Sequence, residues 1–136
     1  MILVDSSAWV EFDRATESPV DKRLTRLIET DAAILAVTEP VVMEVVAGAR
    51  DDRREQELRR LLHRFRLLRF DAAVDFDGAA RIYRRCRAAG VTPRGMIDCM
   101  IAAVAQRSQA TLLARDADLA RVAEVIAVEL DIATPA

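Results

Sequence analysis

The chain has 136 residues, with 20 Lys and Arg against 22 Asp and Glu, so its formal net charge is −2. Hydrophobic residues make up 52% of the chain, too many for a disordered protein, and the length suits a single domain over residues 1–136. Near-neutral charge excludes a uniformly basic nucleic-acid-binding surface, and the lack of a long apolar run or basic leader predicts a cytoplasmic protein without membrane contact.

Short apolar runs that alternate with helical patterns are the main structural signal. In the first half of the chain, the sequence predicts a strand at Ile2–Val4, a helix at Ala8–Phe12 capped by Ser6 or Ser7, a helix near Val20–Glu29, a strand at Ile34–Val37 and a helix from its cap Thr38 to near Gly48. A helix at Asp51–Phe65, a strand at Leu67–Phe70 and a helix at Ala72–Ala89 closed by Gly90 are predicted next. The last predicted elements are a helix at Met96–Gln106, a strand at Thr111–Ala114, a helix at Ala117–Val125 and a strand at Ile126–Leu130. Strands that are apolar on both faces are typical of parallel sheets covered by helices. We therefore expect a three-layer α/β fold with a roughly five-stranded parallel sheet flanked by helices.

Cysteine and histidine are too few for the usual thiol and zinc chemistry. The chain contains two cysteines, Cys86 and Cys99, and one histidine, His63. They can form neither a disulfide framework nor a zinc site with four nitrogen or sulfur ligands. A metal would need carboxylate oxygens, which favours Mg²⁺ or Mn²⁺.

Two predicted strands run into acidic residues. Asp5 directly follows Ile2–Val4, and Asp116 comes two residues after Thr111–Ala114. Because the carboxyl ends of parallel strands meet at one edge of a sheet, these carboxylates are expected close together if both strands are central. Each acid by itself is also explained as the N-cap of the helix that follows.

Two further acids lie in otherwise apolar helices. Glu44 has valines on both sides, where a buried unpaired carboxylate is costly, unless the helix is rotated so that Glu44 reaches water beside Ala47. Asp98 precedes Ile101 and Ala102, and its alternative explanation is a charge favoured by the helix N-terminus. Four carboxylates brought together repel each other, and a divalent cation relieves that repulsion. Such a cluster suits metal-dependent hydrolysis of a phosphodiester.

The segments that carry these four acids resemble, in order, the motifs of the PIN-domain nucleases, and most closely the VapC toxins of toxin–antitoxin pairs. The matching segments are residues 1–9, 39–44, 97–103 and 113–119. The resemblance implies the PIN fold, a parallel five-stranded sheet flanked by helices. Four motifs in the right order along nearly the whole chain are a specific signal, whereas each motif alone is weak.

The resemblance also implies roles for individual acids. Asp5 and Asp98 would be the principal Mg²⁺ ligands, with Mn²⁺ as a substitute. Glu44 and Asp116 would complete the catalytic pocket, holding the metal directly or through water. Asp118 would be a further ligand, a helix-start residue or both.

Three other residues lie beside the acidic motifs. By the resemblance, Ser7 orients Asp5 in a supporting role. Arg94 and Arg115 are candidates for phosphate contact because of their position in the sequence. Eight arginines between Arg50 and Arg69 have two explanations: an RNA-guiding stripe, or a solvated helix face with internal ion pairs.

The function implied by the resemblance is a Mg²⁺-dependent endoribonuclease toxin of a type II, VapBC-like pair. It would hydrolyse RNA, most typically tRNA or ribosomal RNA, with a metal-activated water and so inhibit translation. Its partner would be a VapB-like antitoxin, which lies in a groove and blocks the acidic site. The helices near Val20–Glu29 and Asp51–Phe65 would form the walls of that groove, and Trp9 and Phe12 would form its apolar floor. A homodimer is also implied.

Two other functions are compatible with parts of the sequence. One is an α/β protein-interaction module without catalytic turnover, whose acids act only as helix caps. The other is a phosphatase-like enzyme, which is disfavoured because an Asp-x-Asp pattern would need aspartate where Ser7 stands.

Overall fold

A parallel sheet forms the centre of the molecule. The computed structural model describes residues 1–135, so residue 136 of the predicted domain lies outside the described part. Within residues 1–135 there are four strands, β1 (Ile2–Val4), β2 (Leu35–Val37), β3 (Arg66–Leu67) and β4 (Thr111–Leu113). They run parallel in the spatial order β3-β2-β1-β4, which places β1 between β2 and β4.

Seven α-helices cover the sheet in the described part of the chain. They are α1 (Ser6–Asp13), α2 (Pro19–Thr30), α3 (Glu39–Ala47), α4 (Asp52–Leu62), α5 (Asp75–Ala88), α6 (Met96–Ser108) and α7 (Ala117–Val125), and a short 3-10 turn covers Ala32–Ile34. The predicted α/β fold with a parallel sheet flanked by helices is confirmed. Among the described helices there is none long and apolar enough to cross a membrane.

The predicted fifth strand at Ile126–Leu130 is reduced to a single bridge in the described structure. After α7 the backbone turns through Ala127, whose φ is 59°, a left-handed conformation that a continuous strand does not allow. Only Leu130 reaches a parallel bridge position, opposite Leu112. The sheet therefore has four strands where roughly five were expected, because the apolar run after α7 is used for a turn and for core packing.

The caps of two helices differ from the expectation. Asp5, not Ser6 or Ser7, caps α1: its side chain accepts a hydrogen bond from the Ser7 backbone N–H, and the helix begins at Ser6. Thr38 does stand before α3, but its buried hydroxyl has no hydrogen-bond partner among the described residues. Helix α3 therefore begins without a side-chain cap.

The core lies on both faces of the paired strands β1 and β4. Leu3 and Val4 of β1 and Leu112 and Leu113 of β4 are fully buried. Helix α6 contributes a nearly continuous buried surface from Ile101 to Ala105, which explains its high apolar content. Burial on both faces holds the carboxyl ends of β1 and β4 side by side, and this is the edge where the predicted acids are placed.

Candidate active site

The ends of β1 and β4 are joined by hydrogen bonds just where the acids begin. The Asp5 backbone N–H donates to the Leu113 carbonyl oxygen over 2.9 Å. One step further, the Arg115 backbone N–H donates to Ser7 Oγ over 2.8 Å. These two links place the residues that follow β1 beside those that follow β4, although more than 100 residues separate them in sequence.

Asp5 is held rigidly and is only 2% exposed. Its Oδ2 accepts hydrogen bonds from the Ser7 backbone N–H at 3.0 Å and from Ser7 Oγ at 2.5 Å. Its Oδ1 is buried and has no hydrogen-bond partner within residues 1–135. Burial raises the pKa of Asp5; the hydrogen bonds from Ser7 oppose this shift, and the charges of Glu44 and Asp116 add to it.

Glu44 reaches the site from α3, and it is fixed by a residue of α1. Ser6 Oγ donates a hydrogen bond to Glu44 Oε1 over 2.7 Å. The glutamate is half-buried, so it is neither enclosed among its valine neighbours nor fully in water. The first two residues of α1 therefore each fix one acid: Ser6 holds Glu44, and Ser7 holds Asp5.

Asp98 and Asp116 are brought together by an arginine. Asp98, from the first turn of α6, is 5% exposed, and the side chain of Asp116 is 8% exposed. Arg94 Nη2 lies 2.6 Å from Asp116 Oδ2 and 3.4 Å from Asp98 Oδ2. Asp116 also caps α7, since its Oδ1 accepts from the backbone N–H groups of Asp118 and Leu119.

Burial has a large effect on the protonation of Asp98. Removal from water raises the pKa of Asp98 from its ordinary 3.8 to about 6. The Arg94 charge opposes the shift, and the charges of Asp116, Asp5 and Glu44 increase it. All four predicted acids are therefore close enough to interact electrostatically at one place, which is the behaviour expected of a functional site.

An open cavity of about 380 Å³ lies among these side chains. Its lining residues are Asp5, Ser6, Ser7, Val10, Glu11, Glu44, Arg94, Arg115 and Asp116. Asp98 is not part of this lining but adjoins it through its ion pair with Arg94. Asp118 also lies outside the lining and is more exposed. Its Oδ2 lies 3.8 Å from Arg94 Nη1, and its Oδ1 forms an ion pair with Arg121. Arg115 lies with its Nε 3.5 Å from Glu11 Oε1.

The donor atoms of this cavity suit a hard divalent cation. Asp5 Oδ1 and Asp98 Oδ2 are buried oxygens without a hydrogen-bond partner in the described structure, an arrangement that a bound cation would satisfy. In the described residues there is no group of three or more acidic, histidine or cysteine side chains already close enough to hold a metal. Mg²⁺ usually keeps several of its waters when it binds to a protein. Two carboxylates that bind the ion directly, with the remaining acids bound to its waters, would therefore complete its octahedral coordination.

Three residues of this cavity, Ser6, Val10 and Glu11, were not among the predicted site residues, and two of them are polar. Ser6 donates to Glu44, and Glu11 is a fourth acid in the lining, beside Asp5, Glu44 and Asp116. A helix places residues four apart on one face, so Ser7 and Glu11 share a side of α1, as do Ser6 and Val10. The four-residue spacing could have predicted that Glu11 lies on the same side of α1 as Ser7. That prediction requires knowing that α1 begins at Ser6.

Comparison with known proteins agrees with the fold and the motifs. The sequence profile of the PIN domain matches residues 2–125. Ribonuclease VapC11 of Mycobacterium tuberculosis and VapC ribonuclease Mb1587 of Mycobacterium bovis are each 46% identical over 125 residues, covering 92% of this chain and 93% of each relative. The structure of VapBC2 from Rickettsia felis, bound to a promoter DNA fragment, superposes with a TM-score of 0.72 at 18% identity, covering 96% of this chain and 98% of that one.

These matches extend over nearly the whole chain and far exceed the level at which membership is ambiguous. The chain belongs to the PIN-domain family and, within it, to the VapC ribonucleases.

Proposed function

We propose that the protein is a Mg²⁺-dependent endoribonuclease and the toxin of a type II, VapBC-like pair. The observation that carries the proposal is the pair of buried carboxylate oxygens, Asp5 Oδ1 and Asp98 Oδ2, which accept no hydrogen bond within the described residues and lie beside an open acidic cavity. Leaving such atoms without a partner is costly, and a cation would remove that cost. The name ribonuclease carried by relatives at 46% identity supports RNA as the substrate.

The cation is expected to be Mg²⁺, with Mn²⁺ as a functional substitute. PIN-domain ribonucleases generally use divalent metal ions, and the side chains here that could bind a metal are carboxylates and hydroxyls, whose oxygen atoms these two ions prefer. Asp5 and Asp98 would hold the ion directly. Glu44 and Asp116 would hold it directly or through its waters, and Asp118 is the outermost candidate.

The chain's own residues would position both the cation and the RNA. Ser7 fixes Asp5 through two hydrogen bonds and leaves Oδ1 free. When bound, the cation supplies the charge that activates a water and offsets the charge developing on the phosphate. The exposed guanidinium of Arg115 borders the same cavity and would pair with a backbone phosphate, and Arg94 is the second candidate for that contact.

A paired antitoxin is the expected partner. A cavity of about 540 Å³ adjoins the acidic one through the shared residues Val10 and Glu44. Residues of α1, of the C-terminal half of α3 and of α4 line this cavity. The expected groove had α2 as its second wall and Phe12 in its floor, but among the described residues neither of these lines the cavity. Trp9 lines this cavity and is also a core residue, 1% exposed, that packs edge-on against Phe12. We expect a VapB-like segment to lie here and to cover Glu44.

Further parts of the proposal follow from the family. We expect the RNA to be tRNA or ribosomal RNA, its cleavage to inhibit translation, and the toxin to act in the cytoplasm as a homodimer. The single domain is expected to extend over residues 1–136.

Cleavage of RNA by matched variants tests this proposal. Purified protein is incubated with total RNA in Mg²⁺, in Mn²⁺ and in EDTA, together with Asp5→Asn, Asp98→Asn and the control Asp21→Asn. Asp21 is also buried but lies in α2, outside the acidic cavity. We expect cleavage by the parent and by Asp21→Asn only when a metal is present. Cleavage in EDTA, or by the two site variants, would contradict the proposal.

A protein-interaction module without turnover is the second candidate. It is favoured by one observation: Asp5 and Asp116 do cap helices α1 and α7. Capping uses only one oxygen of each carboxylate, however, and it gives no role to Glu44 or Asp98. Absence of cleavage of any RNA under either metal, with tight binding of the paired antitoxin, would favour this second function.

A further inference from the structure

Arg94 lies among the acids in a way that differs from the other buried ion pairs of the described chain. Its Nη2 donates a hydrogen bond to Asp116 Oδ2 and lies 3.4 Å from Asp98 Oδ2, and its Nη1 is 3.8 Å from Asp118 Oδ2. By contrast, Arg107 donates two hydrogen bonds to the one carboxylate of Asp75. The Arg94 guanidinium is thus shared among three carboxylates and makes a hydrogen bond to only one of them.

Packing contributes little to holding Arg94 in place. Its side chain is 59% exposed, and it comes from the short loop between α5 and α6, immediately before the N-cap residue Gly95. Of the three carboxylates near it, those of Asp98 and Asp116 are nearly buried. Charge therefore keeps the guanidinium in position, and it can withdraw to water without opening the core.

The arginine compensates the acidic cluster only in part. A guanidinium carries a single permanent positive charge, whereas four acids surround the cavity. Asp98 Oδ2 and Asp5 Oδ1 still have no hydrogen-bond partner within the described residues. A divalent ion would compensate more charge, but it would need the Oδ2 oxygen of Asp98, which faces Arg94 Nη2. The two cations cannot occupy that position together.

We propose that Arg94 is a displaceable internal counter-ion of the acidic cavity, which occupies the place of the divalent cation until that cation enters. The identity of the cavity as a cation site rests on the proposed function; the competing role of Arg94 goes beyond it. Arg94 is thus a positioning residue that sets the cation affinity of the site. Because binding must first displace it, its presence weakens cation binding.

Direct measurement of Mn²⁺ binding by isothermal titration calorimetry tests the competition without using activity. We expect Arg94→Gln to bind Mn²⁺ about tenfold more tightly than the parent, which is the size expected for removing a unit charge roughly 6 Å from a divalent ion even in water. Arg94→Lys keeps the charge but not the planar fork, so its affinity should lie between the two. The control Arg121→Gln removes the same charge from an exposed arginine that contacts Asp118, and it should bind Mn²⁺ within about threefold of the parent.

Thermal unfolding gives an independent result. Without metal, Arg94→Gln should melt below the parent because the acids lose a counter-ion, and Mn²⁺ should raise its midpoint by more than it raises that of the parent. Arg121→Gln should show neither effect.

The outcomes separate this inference from the proposed function. Unchanged or weaker Mn²⁺ binding by a folded Arg94→Gln, while Asp98→Asn abolishes binding, would overturn the counter-ion role and leave the metal site intact. Binding that is unaffected by both Asp5→Asn and Asp98→Asn would overturn the metal site itself. Detectable binding in Arg94→Gln alone would support the competition, and absence of binding in parent and variant alike would overturn both.

Discussion

Replacing Asp98 with asparagine should stabilise the metal-free protein at neutral pH. Asp98 is buried beside three other acids, and its pKa is raised from 3.8 to about 6. The folded protein therefore binds a proton here more tightly than the unfolded chain does. The contribution of this proton to stability is complete below about pH 3.8 and is lost as the pH rises through about 6. The Asp98→Asn variant has an uncharged amide at this position, so it would escape this loss.

The size of the effect follows from the pKa difference. For a fully shielded group, moving a pKa from 3.8 to about 6 corresponds to roughly 3 kcal/mol. Water in the open cavity screens part of this, so we expect a gain of about 1–2 kcal/mol at pH 7.5. For a chain of this length that gain corresponds to a rise in melting temperature of about 4–8 °C.

Thermal and urea unfolding in EDTA, at pH 7.5 and pH 4, would measure this gain. Asp75→Asn is the matched control, because Asp75 is equally buried but its two hydrogen bonds from Arg107 lower its pKa. That variant should lose about 1–3 kcal/mol at pH 7.5, and the loss should shrink as the pH falls and Asp75 is protonated in the parent. An Asp98→Asn variant that is less stable than the parent at pH 7.5, or equally stabilised at pH 4, would show that the charge of Asp98 does not destabilise the folded protein.

Three further predictions address the site and the fold. Ser7→Ala should lower RNA cleavage about 10–100-fold in single-turnover assays, since Asp5 loses the hydroxyl that orients it; unchanged cleavage would argue against a supporting role for Ser7. Removal of metal with EDTA should abolish cleavage, and added Mn²⁺ should restore it; persistent cleavage after dialysis would argue against metal dependence. Leu112→Ala, in strand β4, should cost about 2–5 kcal/mol in urea unfolding because the side chain is fully buried, and a cost below about 1 kcal/mol would contradict that burial.

The order of strands and helices was largely predictable from the sequence. Strand β1 and helix α7 have the predicted bounds, because each combines an apolar pattern with a clear boundary residue, Asp5 or Asp116. The predicted fifth strand was wrong because Ile126–Leu130 is too short for periodicity to distinguish a strand from a turn that packs its side chains into the core. The left-handed residue in that turn is alanine, which gives no signal in the sequence.

The site was predictable in its acids but not in its arrangement. Parallel topology alone places Asp5 and Asp116 at one edge, so the motif order was sufficient for them. The position of Arg94 among the acids depends on how a loop and a long side chain settle, and no periodicity encodes that. The roles of all these residues in catalysis remain predictions.

Anomalous diffraction from crystals grown with Mn²⁺ would show whether a divalent cation binds in the acidic cavity. Mn²⁺ has the ligand preferences of Mg²⁺ and can be located by its scattering. We predict a strong peak in the acidic cavity beside Asp5 and Asp98, with Arg94 moved away from Asp98. A map at saturating Mn²⁺ with no peak there, or with its main peak elsewhere on the protein, would contradict this prediction.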